Sequence, residues 1–558
     1  MAETVLPGVS IEVRDEGLIV PTAITVGNLG VVGTASKGPV DQPVILASYA
    51  EARARFGEYD LWQGGTADEL TLTRALELAF QHGATTAIAV RVSEKDNDAQ
   101  RTILATSAER ALTAGAATPV KLTAKTPGTW GNDLEVRIEA ATENAFVEDE
   151  DVQGLQLAVE KVIQSARNRI RIRPAGGGSD RPLAIVYDTA VVPNPGQAVV
   201  DLATGALTLA PGLPGADKVI ASYMADSSKA VQVTIRLGEA KEVYPVVSGR
   251  DLIRDLVASA WVDGKVDNAA HLDELLDLTP SFDRLIGGSN GAAGADYQTG
   301  LDLLENQDAH IIVAAGQDES FGDELSAHCA IASSDLVQRN RIGVIGCGSA
   351  ATKDLFLAKA LGHPLSSDRV IFVAPGIKTA DRAASPPVDV ALPGSYAAAA
   401  VAGLLASLPA HVSLTNKTLF VGGLEYELSR AELEQMVKAR ILALEKRQGI
   451  RVVQGLTSST NTAFRQITTR RIVDFASFGV RSAANPFIGR LNNERVRGSL
   501  RTAINGFLAE MVLDEMLVSY ELAVSATRDQ EIRGIVQVTM TLRPVFSIDY
   551  IRVVMFLQ

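Results

Sequence analysis

The sequence predicts a multidomain protein of mixed α/β and α+β class. Three observations carry that expectation. Short, wholly apolar runs alternate with helical periodicity over residues 271–428, as in a parallel sheet covered on both faces. Residues 96–270 instead show short strand-like runs between turn residues, the spacing of a β-rich module. Extended segments without a strand partner nearby in sequence lie at both ends. The 558 residues, at about 100–200 per domain, leave room for three or four such units.

Composition narrows the function classes. Hydrophobic residues make up 46% and charged residues 21% of the chain, which excludes a collagenous or broadly disordered protein. The two cysteines, Cys329 and Cys347, cannot build a disulfide framework and point to a reducing compartment. The opening residues lack the basic and apolar regions of a secretory signal. Between Asp389 and Lys417 the chain is uncharged but Ala-rich and broken by Pro393, Gly394 and Pro409. It reads as a buried helix rather than a membrane span, so direct membrane insertion is not expected. The net charge of −14 argues against nucleic acid as main partner. Residues 430–558 nevertheless hold 18 Lys and Arg against 12 Asp and Glu, a net of +6, on an otherwise acidic chain. That quarter either faces something negative or simply has a differently charged helix surface.

Element by element, residues 1–22 read as an N-terminal arm. Val5 precedes the Pro7-Gly8 turn, and Val9, Ile11 and Val13 then alternate with polar residues. Residues 23–95 read as an α/β segment. It holds a strand at Leu29–Gly33 and a helix capped by Ser48 and stopped at Gly57. A capping box, Thr66-x-x-Glu69, is expected to open a second helix with Leu72, Leu76, Ala79 and Phe80 on one face, before a strand over Thr85–Val92. Residues 96–270 form a β-rich insertion with strands at Pro119–Thr126, Leu134–Ala140, Ile170–Arg173, Lys218–Met224 and Val231–Arg236. The acids Glu148 to Asp151 are read as a solvated loop tip.

Residues 271–428 place strands at Ile311–Ala315, Ile342–Ile345 and Val370–Ala374, with helices at Asp296–Asn306 and Thr352–Leu361 between them. Residues 429–543 form an α+β unit. Ser429-x-x-Glu432 caps a helix carrying Leu433, Met436, Val437 and Leu444, with Gly449 as stop. Strands are expected at Ile450–Val453, Ile467–Val473 and Ile535–Leu542, and a long helix over about Glu494 to Tyr520. Residues 544–558 form a C-terminal arm. Ile548, Tyr550, Val554 and Phe556 share one strand face, and Ile551, Val553, Met555 and Leu557 the other. A strand apolar on both faces must be covered on both.

Two motifs carry possible chemistry. Gly287-Gly288-Ser289-Asn290-Gly291 matches the nucleophile elbow, but the strand–Ser–helix mechanics fail where Ala292-Ala293-Gly294 continues the loop. Gly346 to Ala351 matches G-x-G-x-x-A between a strand and a helix. The next strand ends Val373-Ala374-Pro375-Gly376, without the acid that holds a ribose. A hydrolase using Ser289, or a nucleotide-binding enzyme using Gly346–Ala351, are the alternatives to a non-enzymatic protein. The histidines show no metal-binding spacing and no P-loop occurs, so neither metal nor cofactor is expected. Arg490, Arg495, Arg497 and Arg501 sit among few aromatic residues, which favours an acidic protein surface over a base-stacking platform. An intrachain pair between Glu494 and Arg497 is the competing use.

Four places resemble the contractile tail sheath family of bacteriophages and contractile injection systems. They are Leu29–Gly38, Ala124–Asn132, Gly287–Gly291 with the helix to Glu305, and the run from Arg470-Arg471-Ile472 to the terminal strand. The resemblance implies a subtilisin-like fold for the middle domain, with no protease activity following from fold alone. It implies a virion structural protein, a homo-oligomer stacked helically around an inner tail tube. Contraction of that array would drive the tube through the target envelope. Baseplate and tail terminator proteins are the other implied partners, with assembly in the bacterial cytoplasm onto a phage tail or injection particle. The arms would add strands to neighbouring subunits, Arg490, Arg495, Arg497 and Arg501 would face the tube, and the insertion would lie outside.

Overall fold

The computed structural model describes residues 27–96, 101–211 and 217–556. The N-terminal arm residues Val5, Val9, Ile11 and Val13, and Leu557 of the C-terminal arm, lie outside these.

A nine-stranded sheet organises the chain. Its order is Pro43–Leu46, Ala87–Arg91, Leu29–Gly33, Ile311–Ala314, Ile342–Gly346, Val370–Ala374, Leu442–Lys446, Ile450–Val452 and Thr418–Leu419. The six strands from Ala87–Arg91 to Leu442–Lys446 run parallel, with Leu29 opposite Ala87 on one side and Ile311 on the other. Every residue of the four strands from Leu29–Gly33 to Val370–Ala374 is buried. Such strands need cover on both faces, and two separate apolar cores supply it. The helices Thr71–Gln81 and Gly394–Ala406 lie in the first core, and Tyr297–Glu305, Gly322–Ala332 and Lys353–Leu361 in the second. Gly394–Ala406 is the buried uncharged helix expected from sequence. It crosses Thr71–Gln81 at Gly403, where a β-carbon would strike the carbonyl of Ala79.

Some of the end signals in the sequence cap helices in the fold and others do not. Ser48 accepts from the Glu51 amide and caps Tyr49–Phe56, and Ser429 with Glu432 forms a full capping box. Thr66-x-x-Glu69 does not form one. The helix starts only at Thr71, after an extended Leu70, because the Tyr396 hydroxyl takes the Glu69 carboxylate at 2.5 Å. The helix after Ser429 stops at Lys438; Leu444 lies in the strand Leu442–Lys446, and Gly449 sits in the hairpin to Ile450–Val452. These two strands, grouped by sequence with the C-terminal unit, belong to the nine-stranded sheet.

The insertion leaves and rejoins the sheet at one place. The Glu94 amide donates to the Gly291 carbonyl at 2.6 Å and the Asp296 amide to the Ser93 carbonyl at 3.1 Å. Between these points lie two nested β modules. One has sheets built on Leu134–Ala140 and Ala117–Ala124, around Leu122, Val136 and Val233. The other is a seven-stranded sheet around Val147, Ala221 and Tyr223. Glu148 to Asp151 are not a loop tip. They lie within the strand Ala145–Val152, where Asp149 pairs with Arg171, Asp151 with Lys218, and Glu150 accepts from the Tyr223 hydroxyl at 2.6 Å. Cross-strand partners make an acidic run compatible with a sheet.

The C-terminal unit packs helices Ile467–Ala484 and Glu494–Leu513 on a ribbon of Leu517–Ser525 and Gln537–Pro544. Ile467–Val473 is thus helix, not strand. Ile467, Thr468, Arg471, Ile472 and Ala476 are buried along it, and Arg470 reaches Asp474 one turn on at 2.7 Å. The long helix ends at Leu513, and Leu517–Tyr520 already belongs to the ribbon.

Two electrostatic networks tie these parts together. Asp474 accepts hydrogen bonds from both terminal guanidinium nitrogens of Arg369 at 2.9 and 3.0 Å and from one of Arg470 at 2.7 Å, while Arg470 also reaches Asp368 at 3.0 Å. Arg471, buried, donates to the carbonyls of Leu408 and Pro409. The second network lies over the sheet, where Glu69, the Tyr396 hydroxyl and Arg74 meet. Burial pushes the Glu69 carboxyl up to about 7, against the pull of the Tyr396 hydrogen bond and Arg74.

Asp474→Ala removes the carboxylate partner of the nearly buried Arg369 and one of the two of Arg470 and should cost about 3 kcal/mol, read as a drop in the urea midpoint with unchanged slope. Glu69 holds its proton to higher pH folded than unfolded, so stability falls as pH rises from the ordinary Glu value to about 7 and is flat above. Glu69→Gln should flatten that slope, by on the order of 3 kcal/mol, in melting temperatures taken at pH 5 and pH 8.

Candidate assembly surfaces

The cleft above the carboxyl ends of the parallel strands is where an enzyme of this architecture would work. It opens between Leu29–Gly33 and Ile311–Ala314, where the sheet order reverses direction, and encloses about 860 Å³. Its charges are largely matched. Lys95 meets Asp41 at 2.7 Å, Arg101 meets Asp296 at 2.6 Å, and Lys359 meets Asp318 at 2.8 Å and Glu319 at 3.1 Å. Ser289 is not among the lining residues. It exchanges both main-chain hydrogen bonds with Thr106, at 3.0 and 3.1 Å, and its hydroxyl accepts from the Gly291 amide at 3.4 Å. The next helix begins only at Tyr297, so the strained strand–Ser–helix turn of a nucleophile elbow is absent there.

The Gly346–Ala351 loop does reach the cleft, through Gly348 and Ser349. Its glycines answer to the protein's own packing. A β-carbon on Gly346 would strike the Gly394 carbonyl, and one on Gly348 the Asp318 carboxylate and Lys359. The Gly348 amide donates to the Glu319 carboxylate at 3.0 Å, so an acid already occupies the position a phosphate would take.

The chain's unfinished surfaces lie in its C-terminal quarter. Beyond Pro544 no strand is assigned through Phe556. Tyr550, Ile551, Val553, Val554, Met555 and Phe556 are 67–86% exposed, and Ile548 is exposed as well. Isolated exposed apolar residues are common, but a run of this kind marks a contact surface or an aggregation hazard. Close by in sequence, the ribbon is the one two-stranded sheet among the described residues. Leu522, Val524, Val538, Met540 and Leu542 pack it on the helices, and among the described residues neither outer edge has a strand partner.

The four candidate arginines separate. Arg497 is turned inward. It donates to Glu531 at 2.9 Å and to the Asn492 side chain at 2.9 Å, and is 16% exposed. It is therefore a brace, with Glu531 rather than Glu494 as its partner. Arg490, Arg495 and Arg501 are exposed, with the Arg490 guanidinium 5.1 Å from the Phe487 ring centre. Sequence reading missed the apolar residues beside them. Asn492 donates to the Ile535 carbonyl at 3.0 Å and brings 488–492 alongside 531–535. Ile488, Leu491, Ile532 and Ile535 are exposed there together with Arg528 and Arg533. The signal was available in the tetrapeptides Ile488-Gly-Arg-Leu491 and Ile532-Arg-Gly-Ile535, where apolar residues flank a Gly and an Arg next to turn positions rather than within a continuous amphipathic stretch.

Residues 290–458 match the family model of the phage tail sheath protein central domain, and residues 459–558 that of the phage tail sheath C-terminal domain. No curated protein sequence matches the chain significantly. Among solved structures, the chain is similar to a sheath tail protein from Desulfitobacterium hafniense. Identity is 15%, coverage 96% of this chain and 100% of the other, and the TM-score 0.58. A sheath tail protein from Listeria innocua gives 16% identity, coverage of 94% and 93%, and a TM-score of 0.56. At these identities the likeness is one of fold, extending over nearly the whole chain. The two domain matches meet without a gap at residue 458 and take in both the sheet's later strands and the ribbon unit; residues 290–558 thus carry the central and C-terminal domains of the phage tail sheath family, and the chain has the structural role of a sheath subunit.

Proposed function

We propose that this subunit polymerises helically around an inner tail tube, and that both arms pass into neighbouring copies as added strands. The observation that carries the reading is the pairing of a donor with an acceptor. An exposed tail apolar on both faces, Tyr550–Phe556, accompanies a two-stranded ribbon with open edges. Two strands alone are marginal in water, whereas three or four with covered faces are stable. Added strands supply main-chain hydrogen bonds for affinity and alternating side chains for register. Residues Val5, Val9, Ile11 and Val13 are proposed as the N-terminal donor and Ile548–Leu557 as the C-terminal one. Such contacts are heterologous and propagate as an open helix.

The parallel sheet with helices on both faces supports a subtilisin-like reading of the middle domain, in which residues 23–95 complete the sheet of 271–428. The ribbon unit would sit at small radius and the acidic insertion outside. Arg490, Arg495 and Arg501, with the apolar cluster of Ile488, Leu491, Ile532 and Ile535, would face an acidic tube surface. Baseplate and terminator proteins would cap the array on a phage tail or injection particle assembled in the bacterial cytoplasm. Contraction would be a rigid-body repacking of subunits, tethered by their arms. The energy would be stored at assembly, so no cofactor or catalytic residue is required.

Deleting Ile548–Gln558 should leave a folded monomer that forms no tubes by sedimentation and negative-stain microscopy; normal polymerisation would refute donation by this arm. Reversing Arg490, Arg495 and Arg501 to Glu should impair co-assembly with a tube while leaving the monomer fold intact. Binding by the unaltered protein should weaken with salt.

A further inference from the structure

The C-terminal tail is held at two points after it leaves the ribbon. The Val545 amide donates to the Met516 carbonyl at 3.1 Å. Four residues later, the Asp549 carboxylate takes hydrogen bonds from three separate pieces of the protein. One oxygen accepts from Gln454 Nε2 and Gln466 Nε2, both at 2.8 Å, and the other from Thr415 Oγ1 at 3.2 Å. Ser547 Oγ adds a longer contact at 3.4 Å.

The donors are committed to this carboxylate. Thr415 Oγ1 already accepts from the Gly455 amide at 3.1 Å and the Ser413 hydroxyl at 3.0 Å, which leaves its own proton for Asp549. Gln454 is buried, and both glutamines turn their amide nitrogens to the acid. Their amide oxygens are left without a partner, beside a pocket of about 260 Å³ bordered by Phe546 and Tyr550. Flipping either amide would set an oxygen against the carboxylate, so the arrangement is specific for an acid. Gln466 immediately precedes the helix Ile467–Ala484, Gln454 follows the strand Ile450–Val452, and Thr415 precedes Thr418–Leu419. The acid therefore joins the tail to the sheet and to the helical unit at once.

We propose that Asp549 is a positioning residue, a clamp that fixes where the tail departs and makes the backbone after it the pivot on which the donated strand swings. The inference rests on the strand-donation reading. From a fixed Asp549, the seven residues 550–556 reach about 24 Å when extended; released back to Val545, eleven residues reach about 38 Å. The volume searched grows with the cube of the reach. Local concentration at a neighbour's ribbon then falls about fourfold per arm.

The test uses the full chain with Asp549→Ala, Asp549→Asn and Thr415→Val. A spin label on Tyr550→Cys or Met555→Cys reports tail mobility in the monomer, since both native cysteines are buried. With Asp549 intact, the label at 550 should be markedly less mobile than that at 555. Asp549→Ala should make the two alike, and Asp549→Asn and Thr415→Val should fall between. Without labels, the protein concentration giving half-maximal tube formation should rise about fourfold in Asp549→Ala and less in the other two, with the monomer's circular dichroism unchanged. Equal mobility at 550 with and without Asp549 would overturn the clamp, as would a freed tail with unchanged assembly concentration. Tubes formed after deleting residues 550–558 would instead overturn strand donation itself, whatever the label shows.

Discussion

An extended chain that is apolar on both faces cannot remain uncovered, and this constraint shapes the molecule from its centre to its end. At the centre it is met internally. The buried parallel strands lie between two sets of helices, and contacts such as Gly403 against the Ala79 carbonyl bring the covering helices within backbone reach of one another. At the C-terminus nothing in the described chain meets it. Ile551 to Phe556 show the same apolar density as a sheet strand, yet lie exposed.

Charge follows a second division of labour. The basic character of the last quarter is partly structural. Arg470 and Arg471 hold the helical unit on the sheet, and Arg497 braces its long helix against the short helix Arg528–Ile532 through Glu531. Arg490, Arg495 and Arg501 are exposed. A count of charges over a segment therefore says little about its partners until internal pairs are removed. The cleft at the strand ends teaches a similar lesson. It has the place and size of an enzyme site, but its ions are paired and its glycine loop is packed against Glu319 and Asp318.

Where one physical signal dominated, the sequence was readable. Wholly apolar runs such as Ile342–Gly346 and Val370–Ala374 are parallel strands, and the polar helix starts at Ser48 and Ser429 are true caps. Where a tertiary partner intervened, it was not. Glu69 looked like a capping residue but belongs to Tyr396, and the acids after Val147 looked solvated but are paired across strands. Ile467–Val473 is β-branched enough to suggest a strand. The helix instead sets Arg470 one turn from Asp474 and within reach of Asp368, and carries Arg471 to the carbonyls of Leu408 and Pro409, partners that lie outside any strand pattern. Of the candidate surface, the apolar tail was legible, whereas Arg497 and the Ile488–Ile535 cluster needed the fold to place them.

The adjoining entry and exit of the insertion have a consequence for variation. Two modules with their own cores hang from a neck closed by main-chain hydrogen bonds between Ser93–Glu94 and Gly291–Asp296. Enlarging, shrinking or exchanging what lies beyond such a neck leaves the sheet's register untouched and alters only a loop-closure term that grows slowly with length. This part of the polypeptide is thus free to diverge, or to carry a grafted module, while the nine-stranded framework stays the same.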